Sequence, residues 1–235
     1  MAVAEVIHRC RRALMGMLYP EVCEVCGRAL VEGEEMLCLD CLAGMPLYSP
    51  ADFSDTEIHR RLMRTPIVRA ASLYYYYKDT PYAMLIQKAK YASRPKLARS
   101  LGRIVAERLK PKSFFDGIDA VTVVPLHKSK ERRRGYNQSL MIARGVADVA
   151  GMPIVDLLDC SRHGTQTART VWQRWANAES TYTATPDTDV SGLHILLIDD
   201  VITSGATLSA CASALLSAHP SARISILTIG VATPK

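Results

Sequence analysis

The fold is decided by one stretch of sequence, Ile195-Leu-Leu-Ile-Asp-Asp-Val-Ile-Thr-Ser-Gly-Ala-Thr207. The apolar run from Leu193 to Ile198 lies between Gly192 and two acids, which predicts a strand covered on both faces in a parallel sheet. Beyond the loop, a helix is expected to begin near Ala206, because apolar residues recur there at helical spacing. These residues are Leu208, Cys211, Ala212, Leu215 and Leu216. The acids and the loop therefore follow the carboxyl end of a strand, where open α/β sheets bind ligands.

The loop after this strand has the composition of an anion site. Its five residues, Thr203, Ser204, Gly205, Ala206 and Thr207, offer backbone N–H groups at a helix start, together with hydroxyl donors and a conformationally free glycine. Asp199 and Asp200 would be repelled by a phosphate beside them, so we expect them to accept hydrogen bonds from the vicinal hydroxyls of a ribose. The alternative is a capped turn that binds no ligand. An Asp-Asp pair on its own would favour this alternative, whereas the full run from Ile195 to Thr207 favours a binding site.

This run closely resembles the motif that binds phosphoribosyl pyrophosphate (PRPP) in type I phosphoribosyltransferases. The resemblance implies that Asp199 and Asp200 hold the ribose 2- and 3-hydroxyls, and that the 203–207 loop holds the 5-phosphate. Ser204 stands where threonine is common and keeps the hydroxyl. The fold implied is an α/β parallel sheet flanked by helices. Magnesium (Mg²⁺) is implied as the ion that bridges the pyrophosphate and the ribose hydroxyls.

Composition indicates a globular protein without a membrane span. The chain has 235 residues, of which 49% are hydrophobic and 22% charged, and it has no apolar stretch long enough to cross a bilayer. Its first twenty residues place apolar side chains at helical spacing but include His8, Arg9, Arg11 and Arg12. We expect an amphipathic helix rather than an export signal, and hence a cytoplasmic protein. A helix lying on a membrane surface is the less favoured alternative.

Four of the seven cysteines indicate a metal site. Cys23, Cys26, Cys38 and Cys41 form two Cys-x-x-Cys pairs with eleven residues between them, and Gly27 suits a tight turn after the first pair. This spacing predicts a tetrahedral Zn²⁺ site, structural rather than catalytic because all four ligands are thiolates. Disulfides are the competing interpretation, less favoured in a reducing compartment. The remaining cysteines, Cys10, Cys160 and Cys211, are expected to be buried apolar side chains.

The sequence divides into two predicted parts. Residues 1–60 hold the amphipathic helix, the four-cysteine module and a link from Pro46 to Asp55, and residues 61–235 hold the main domain. Strands and helices alternate in that domain, which predicts a parallel sheet with crossover helices. The further strands expected are Ile67–Tyr77, Ala120–Val124, Ile154–Leu158 and Ile224–Val231. The helices expected are Tyr82–Tyr91, Lys96–Leu109 and Asn137–Ala150.

A second group of candidate site residues follows the Ala120 strand, in the run Val124-Pro-Leu-His-Lys-Ser-Lys-Glu-Arg-Arg-Arg-Gly-Tyr-Asn-Gln138. If this strand lies beside the one carrying Asp199, the two loops share a crevice. Pyrophosphate would then be lined by Pro125, Leu126, His127 and Lys128, and the basic run would neutralise it. A solvated loop is the alternative for three consecutive arginines, but their place between a strand and Gly135 favours the site.

The same segment resembles a narrower family. Arg134-Gly-Tyr-Asn-Gln138 resembles the Arg-Gly-Phe-Asn-Gln signature of the ComF family, the competence-associated phosphoribosyltransferase-like proteins that include the GntX proteins. The Thr165–Asn177 stretch and the Lys90-Tyr91 pair are also similar to that family, although Arg169 and Ala178 depart from its pattern. With the four cysteines, the resemblance covers nearly the whole chain and implies a role in DNA uptake during natural transformation.

The resemblance implies phosphoribosyl transfer to an acceptor that the sequence does not identify. His127, Lys128 and Arg134 would stabilise the departing pyrophosphate, while Asp199 and Asp200 would oppose the positive charge that develops at the sugar, so catalysis would be mostly positioning and electrostatics. The Ser161–Asn177 stretch is expected to form a lid that excludes water. A protein that binds PRPP as a sensor, without catalysis, is the alternative.

The charge balance supports a hypothesis of another class, single-stranded DNA binding. Lysines and arginines number 29 against 23 acids, a net charge of +6, and they concentrate in two runs, which would suit a surface that faces phosphates. The runs are Lys88, Lys90, Arg94, Lys96, Arg99, Arg103, Arg108 and Lys110, and then Lys128–Arg134. A solvated helix face is the alternative. The sequence does not determine the oligomeric state.

Overall fold

A computed structural model describes residues 20–62, 65–91, 94–160, 181–185 and 188–233. The predicted N-terminal amphipathic helix, the predicted lid and the family segment Thr165–Asn177 lie outside the described residues. The chain forms two compact units, Met1–Met45 and Pro46–Lys235. Among the described residues, no helix has both the length and the apolar composition needed to span a membrane.

The first unit is built from tight turns and one short helix, α1 (Leu39–Ala43). Gly27 has a φ of 76°, and its N–H donates to the Cys23 carbonyl at 2.9 Å, which closes the turn around the first cysteine pair. Glu34 closes the second turn, since its carboxylate accepts hydrogen bonds from the N–H groups of Val31 and Leu39 at 3.0 and 2.9 Å. The described part of this unit is thus organised by local hydrogen bonds around the four cysteines.

The second unit alternates strands and helices, as the sequence predicts. Its helices are α2 (Glu57–Arg61), α3 (Ala83–Tyr91), α4 (Pro95–Leu109), α5 (Lys128–Arg134), α6 (Gln138–Ala150) and α7 (Ala206–Ala218). Its strands are β1 (Ala70–Tyr76), β2 (Ala120–Val123), β3 (Leu158–Cys160), β4 (Tyr182–Ala184), β5 (His194–Ile202) and β6 (Arg223–Ala232). A 3₁₀ turn, Lys110–Lys112, follows α4.

Four of these strands form the main sheet, in the spatial order β1-β6-β5-β2, and every neighbouring pair is parallel. Val123 of β2 pairs with Ile198 of β5, so the loops that follow these two strands leave the same edge of the sheet. The predicted α/β fold with a parallel sheet flanked by helices is confirmed. The sheet brings the two predicted groups of site residues to one edge.

Three details of the predicted elements are wrong. β5 continues to Ile202, so the two acids lie within the strand rather than after it. The strand predicted at 154–158 is reduced to one bridge from Ile154 to Val121, because the chain then leaves the sheet edge and buries Leu157 and Leu158 in the core that includes α7 residues. Residues 128–134 form a helix rather than a loop.

Residues 46–60 pack on the main sheet. The N–H of Tyr48 donates to the Leu73 carbonyl at 3.0 Å, the Tyr75 N–H donates to the Pro46 carbonyl at 2.8 Å, and Ile58 is fully buried in the core. The compact units accordingly divide after Met45. The division into domains 1–60 and 61–235 remains a prediction.

Candidate functional site

Strand β5 directs Asp199 and Asp200, hereafter the acidic pair, to opposite faces of the sheet. Successive side chains of a strand alternate between faces, and Ile195 and Leu197 lie in the core cluster that contains α7 residues such as Leu208. Asp199 shares their face, whereas Asp200 faces the other way. Each acid therefore has its own set of neighbours.

The side chain of Asp199 lies beside the start of α6. Its Oδ1 accepts hydrogen bonds from the Ser139 hydroxyl at 3.0 Å and from the backbone N–H of Asp200 at 2.8 Å. Burial and the neighbouring charge of Asp200 raise the pKa of Asp199 to about 7, while these hydrogen bonds and the Lys90 cation act in the opposite direction. The charged form of Asp199 is therefore unfavourable in the ligand-free protein, as is common for residues of a binding or catalytic site.

Asp200 is 5% exposed and bound by a lysine. Its Oδ1 lies 3.0 Å from Nζ of Lys90, at the end of α3. Its Oδ2 is buried and has no hydrogen-bond partner. A buried acceptor without a partner is costly, so this oxygen is suited to accept a hydrogen bond from a bound ligand.

The 203–207 loop leaves the start of α7 without a side-chain cap. Gly205 occupies the N-cap position with φ 82° and ψ −8°, a left-handed conformation that favours glycine, and no side chain accepts from the first turn. A shallow pocket of about 30 Å³ is lined there by Asp199 and residues 201–208. The free N–H groups at a helix start attract anions, so this pocket has the donors that a phosphoryl group requires.

Arg61, at the end of α2, supports this loop, and the sequence analysis missed it. Its Nη1 donates to the carbonyls of Thr203 at 2.8 Å and Ile202 at 3.3 Å, and its Nη2 donates to the Ala232 carbonyl at 2.6 Å. The guanidinium thus holds two carbonyls at the start of the loop. Only the helix pattern around Arg61 is visible in the sequence, because these three carbonyl groups belong to residues more than 140 positions away.

The residues predicted to line pyrophosphate follow β2 at the same edge. Pro125, Leu126 and His127 are half-buried and Lys128 is exposed. His127 is the N-cap of α5, and its Nδ1 accepts from the Ser129 N–H at 3.2 Å. An open pocket of about 460 Å³ lies beside α5 and is lined by Lys128, Glu131, Arg132 and Gly135.

Arg134 packs against α3 in the described structure. Its guanidinium carbon lies 5.1 Å from the centre of the Tyr91 ring, and its Nη1 donates to Oε1 of Gln138 at 2.8 Å. Its Nε is buried without a partner. A contact between Arg134 and a leaving group therefore stays a prediction.

The rest of the signature at 134–138 anchors neighbouring elements. The Tyr136 hydroxyl donates to the Ala89 carbonyl of α3. Asn137 caps α6, accepting from the Ser139 N–H at 3.0 Å and donating to the Val124 carbonyl at 3.1 Å. The signature thus joins the end of β2, the start of α6 and the end of α3.

The four cysteines of the first unit can hold one metal ion. The sulfur atoms of Cys23, Cys26, Cys38 and Cys41 all lie within 4.8 Å of one another. The Sγ atoms of Cys26 and Cys38 are 3.7 Å apart, close to the edge of about 3.8 Å expected for a tetrahedron with Zn–S bonds of about 2.3 Å. Burial raises the pKa of Cys23, but hydrogen bonds from the backbone of Cys26 and Cys38 lower it to about 6. The donor set fits Zn²⁺.

Part of the second unit matches a known protein family. Residues 136–233 match the family model described as the phosphoribosyl transferase domain. These residues include the acidic pair, the 203–207 loop and α7. Residues 136–233 are therefore similar to phosphoribosyltransferase domains, as the sequence predicted.

Known proteins are similar to this chain over most of its length. DNA utilization protein YhgH of Salmonella typhimurium is 27% identical over 199 residues, covering 83% of this chain and 84% of that protein. Competence protein ComFC of Bacillus subtilis is 24% identical over 226 residues, covering 96% and 83%. The resemblance to the ComF proteins is confirmed. A solved glutamine PRPP amidotransferase from B. subtilis is 21% identical, covers 60% of this chain and 30% of its own, and has a TM-score of 0.40.

Proposed function

We propose that the second unit binds PRPP at the carboxyl end of β5. The observation that carries this proposal is the partnerless Oδ2 of buried Asp200 on the strand that leads into the uncapped start of α7. In the proposed complex the 203–207 loop holds the 5-phosphate and the acidic pair accepts hydrogen bonds from the ribose hydroxyls. The phosphoribosyltransferase domain supports this assignment.

The reaction we propose is transfer of the phosphoribosyl group to an acceptor that has not been identified. The bond between the anomeric carbon and pyrophosphate breaks, the acceptor forms a bond at that carbon, and pyrophosphate leaves with the bonding electrons. Mg²⁺ would enter with PRPP and neutralise charge on its pyrophosphate. His127 and Lys128, with Arg134 if its side chain turns from Tyr91, would stabilise the leaving group electrostatically. The acidic pair would oppose the charge at the sugar.

A thermal shift assay tests the binding site. PRPP with Mg²⁺ is expected to raise the Tm of the wild-type protein, since a ligand that binds only the folded state stabilises it. The double variant Asp199→Asn, Asp200→Asn should lose this shift. The matched control, Asp156→Asn with Asp159→Asn, removes two charges from exposed positions and should keep it. An undiminished shift in the first double variant would rule out the assigned site.

Pyrophosphate release separates a transferase from a PRPP sensor. We infer an enzyme, because the basic helix α5 and the acidic pair lie at the same edge of the sheet. A panel of nucleobases, amines and ammonia is expected to include an acceptor that releases pyrophosphate from PRPP. Tight PRPP binding with no release over the whole panel would instead favour the sensor.

Single-stranded DNA binding is a second candidate, favoured by exposed basic side chains and by the names of the similar proteins. On α4 and the turn after it, Lys96, Arg99, Arg103, Arg108, Lys110 and Lys112 are all exposed. The relatives are named for DNA utilization and competence. Such binding should weaken steeply with salt, and replacing exposed Arg132 and Arg133 by Ala should reduce the slope. Undetectable binding at low salt would eliminate this candidate.

The first unit would hold one structural Zn²⁺, supported by the four converging thiol groups. All four ligand positions are occupied by cysteine, so no coordination site is left for a substrate. A cytoplasmic location is part of the same proposal, because free thiols persist in a reducing compartment.

A further inference from the structure

Lys90 forms an ion pair with one acid of the candidate ribose site, and the proposed reaction assigns it no role. Its Nζ lies 3.0 Å from Oδ1 of Asp200, and the two side chains are 23% and 7% exposed. An ion pair this shielded is screened weakly by solvent. It is therefore strong enough to fix the orientation of the Asp200 carboxylate.

The end of α3 that carries Lys90 is held on both sides by the 134–138 signature. Tyr136 donates a hydrogen bond to the carbonyl of Ala89, the residue before Lys90. Arg134 stacks over the ring of Tyr91, the residue after it. Two independent contacts from the 134–138 signature thus fix the helical turn from which Lys90 reaches across to β5.

We propose that Lys90 is a positioning residue that binds one oxygen of Asp200 and thereby keeps the other oxygen free to accept a hydrogen bond from a ribose hydroxyl. This inference rests on the proposed PRPP site. Oδ1 of Asp200 is occupied by Lys90, whereas Oδ2 is buried without a partner. Without the cation, both oxygens would lack a partner in a buried site, and the carboxylate would lose its fixed orientation.

The charges around the acidic pair show why one lysine matters. Titratable groups that act on one or other of the two acids come from several elements. They are Lys90 of α3, Tyr74 of β1, Tyr182 of β4 and Cys211 of α7. Burial raises the pKa values of Tyr74, Tyr182 and Cys211, so these groups are neutral near pH 7. Lys90 is therefore the one cation in this described set.

A titration that needs no ligand tests this inference first. In protein with ¹³C-labelled aspartate carboxyl groups, Lys90→Met should raise the pKa of Asp199 by about one pH unit, the low end of the effect of a nearby opposite charge. Lys90→Arg should restore the wild-type value, because a guanidinium also pairs with a carboxylate. The control Lys78→Met removes an exposed lysine and should change nothing.

Calorimetry with PRPP and Mg²⁺ gives the second readout. Lys90→Met should weaken binding about tenfold near pH 8, which corresponds to one lost charged interaction, and Lys90→Arg should recover most of it. An unchanged titration and unchanged affinity in Lys90→Met would overturn the inference while leaving the PRPP site intact. If the wild-type protein binds no PRPP, the proposed function fails. The titration of Asp199 then decides alone whether the charge of Lys90 acts on the acidic pair.

Discussion

Replacing Gly205 by alanine tests the geometry of the 203–207 loop. Its φ of 82° is left-handed, a conformation that costs an L-residue about 1–2 kcal/mol. A Cβ would also lie 2.8 Å from the carbonyl oxygen of Arg61 and 3.0 Å from Cδ2 of Leu62, and relieving such overpacking typically costs about 1–3 kcal/mol. Gly205→Ala should therefore lower the free energy of unfolding by about 2–5 kcal/mol.

Gly151→Ala provides the matched control for this variant. Gly151 ends α6 with a similar φ of 75°, but a Cβ there would meet nothing within 4 Å, so only the conformational cost of about 1–2 kcal/mol applies. Urea unfolding should show Gly205→Ala to be the less stable variant, and calorimetry should show PRPP binding lost in Gly205→Ala alone. Equal stability of the two variants would refute the close contact with α2, and intact PRPP binding in Gly205→Ala would refute the role of the loop.

Three further predictions concern other parts of the protein. Arg61→Met should lower the free energy of unfolding by about 1.5–3 kcal/mol, because charged hydrogen bonds to the loop carbonyls are lost. Arg60→Met, at the neighbouring exposed position, should change the free energy of unfolding little. Equal urea midpoints for the two variants would contradict this prediction. Asp199 has a folded pKa of about 7 against an ordinary value of 3.8, so the folded state binds the extra proton and stability falls as pH rises between these values. Asp199→Asn should therefore raise the Tm near pH 8 but not near pH 3, and a lower Tm near pH 8 would contradict the sign. Denatured protein should release about one equivalent of zinc, and Cys26→Ser should release less; a zinc-free reduced sample would contradict the metal site.

The sequence predicts the elements that local pattern determines. The start of α7 at Ala206 was predicted correctly, because a glycine precedes an apolar face of helical period. The parallel sheet was also predicted, since apolar strands alternate with amphipathic helices. The sequence places the two candidate loops in one crevice only if β2 lies beside β5. The structure shows that these two strands are paired.

Other features depend on contacts that no local pattern shows. Helix α5 was missed because the Lys128–Arg134 run has no apolar face; His127 caps its start, and Gly135 ends it with φ 82°. The predicted end of β5 is too early in the sequence, because the polar residues Asp199 and Asp200 interrupt the apolar pattern. In the structure, the strand pairs with β6 as far as Ile202. The contacts of Arg61 with backbone carbonyls and of Lys90 with Asp200 join residues about 110 to 170 positions apart, so these partners could not be predicted from spacing.

A crystal structure of the protein with PRPP and Mg²⁺ tests the central claim most directly. We expect density for the 5-phosphate at about 2.7–3.2 Å from the backbone nitrogens at the start of α7, with a ribose hydroxyl against Oδ2 of Asp200. Density for PRPP elsewhere, or a ribose that contacts neither acid, would contradict it.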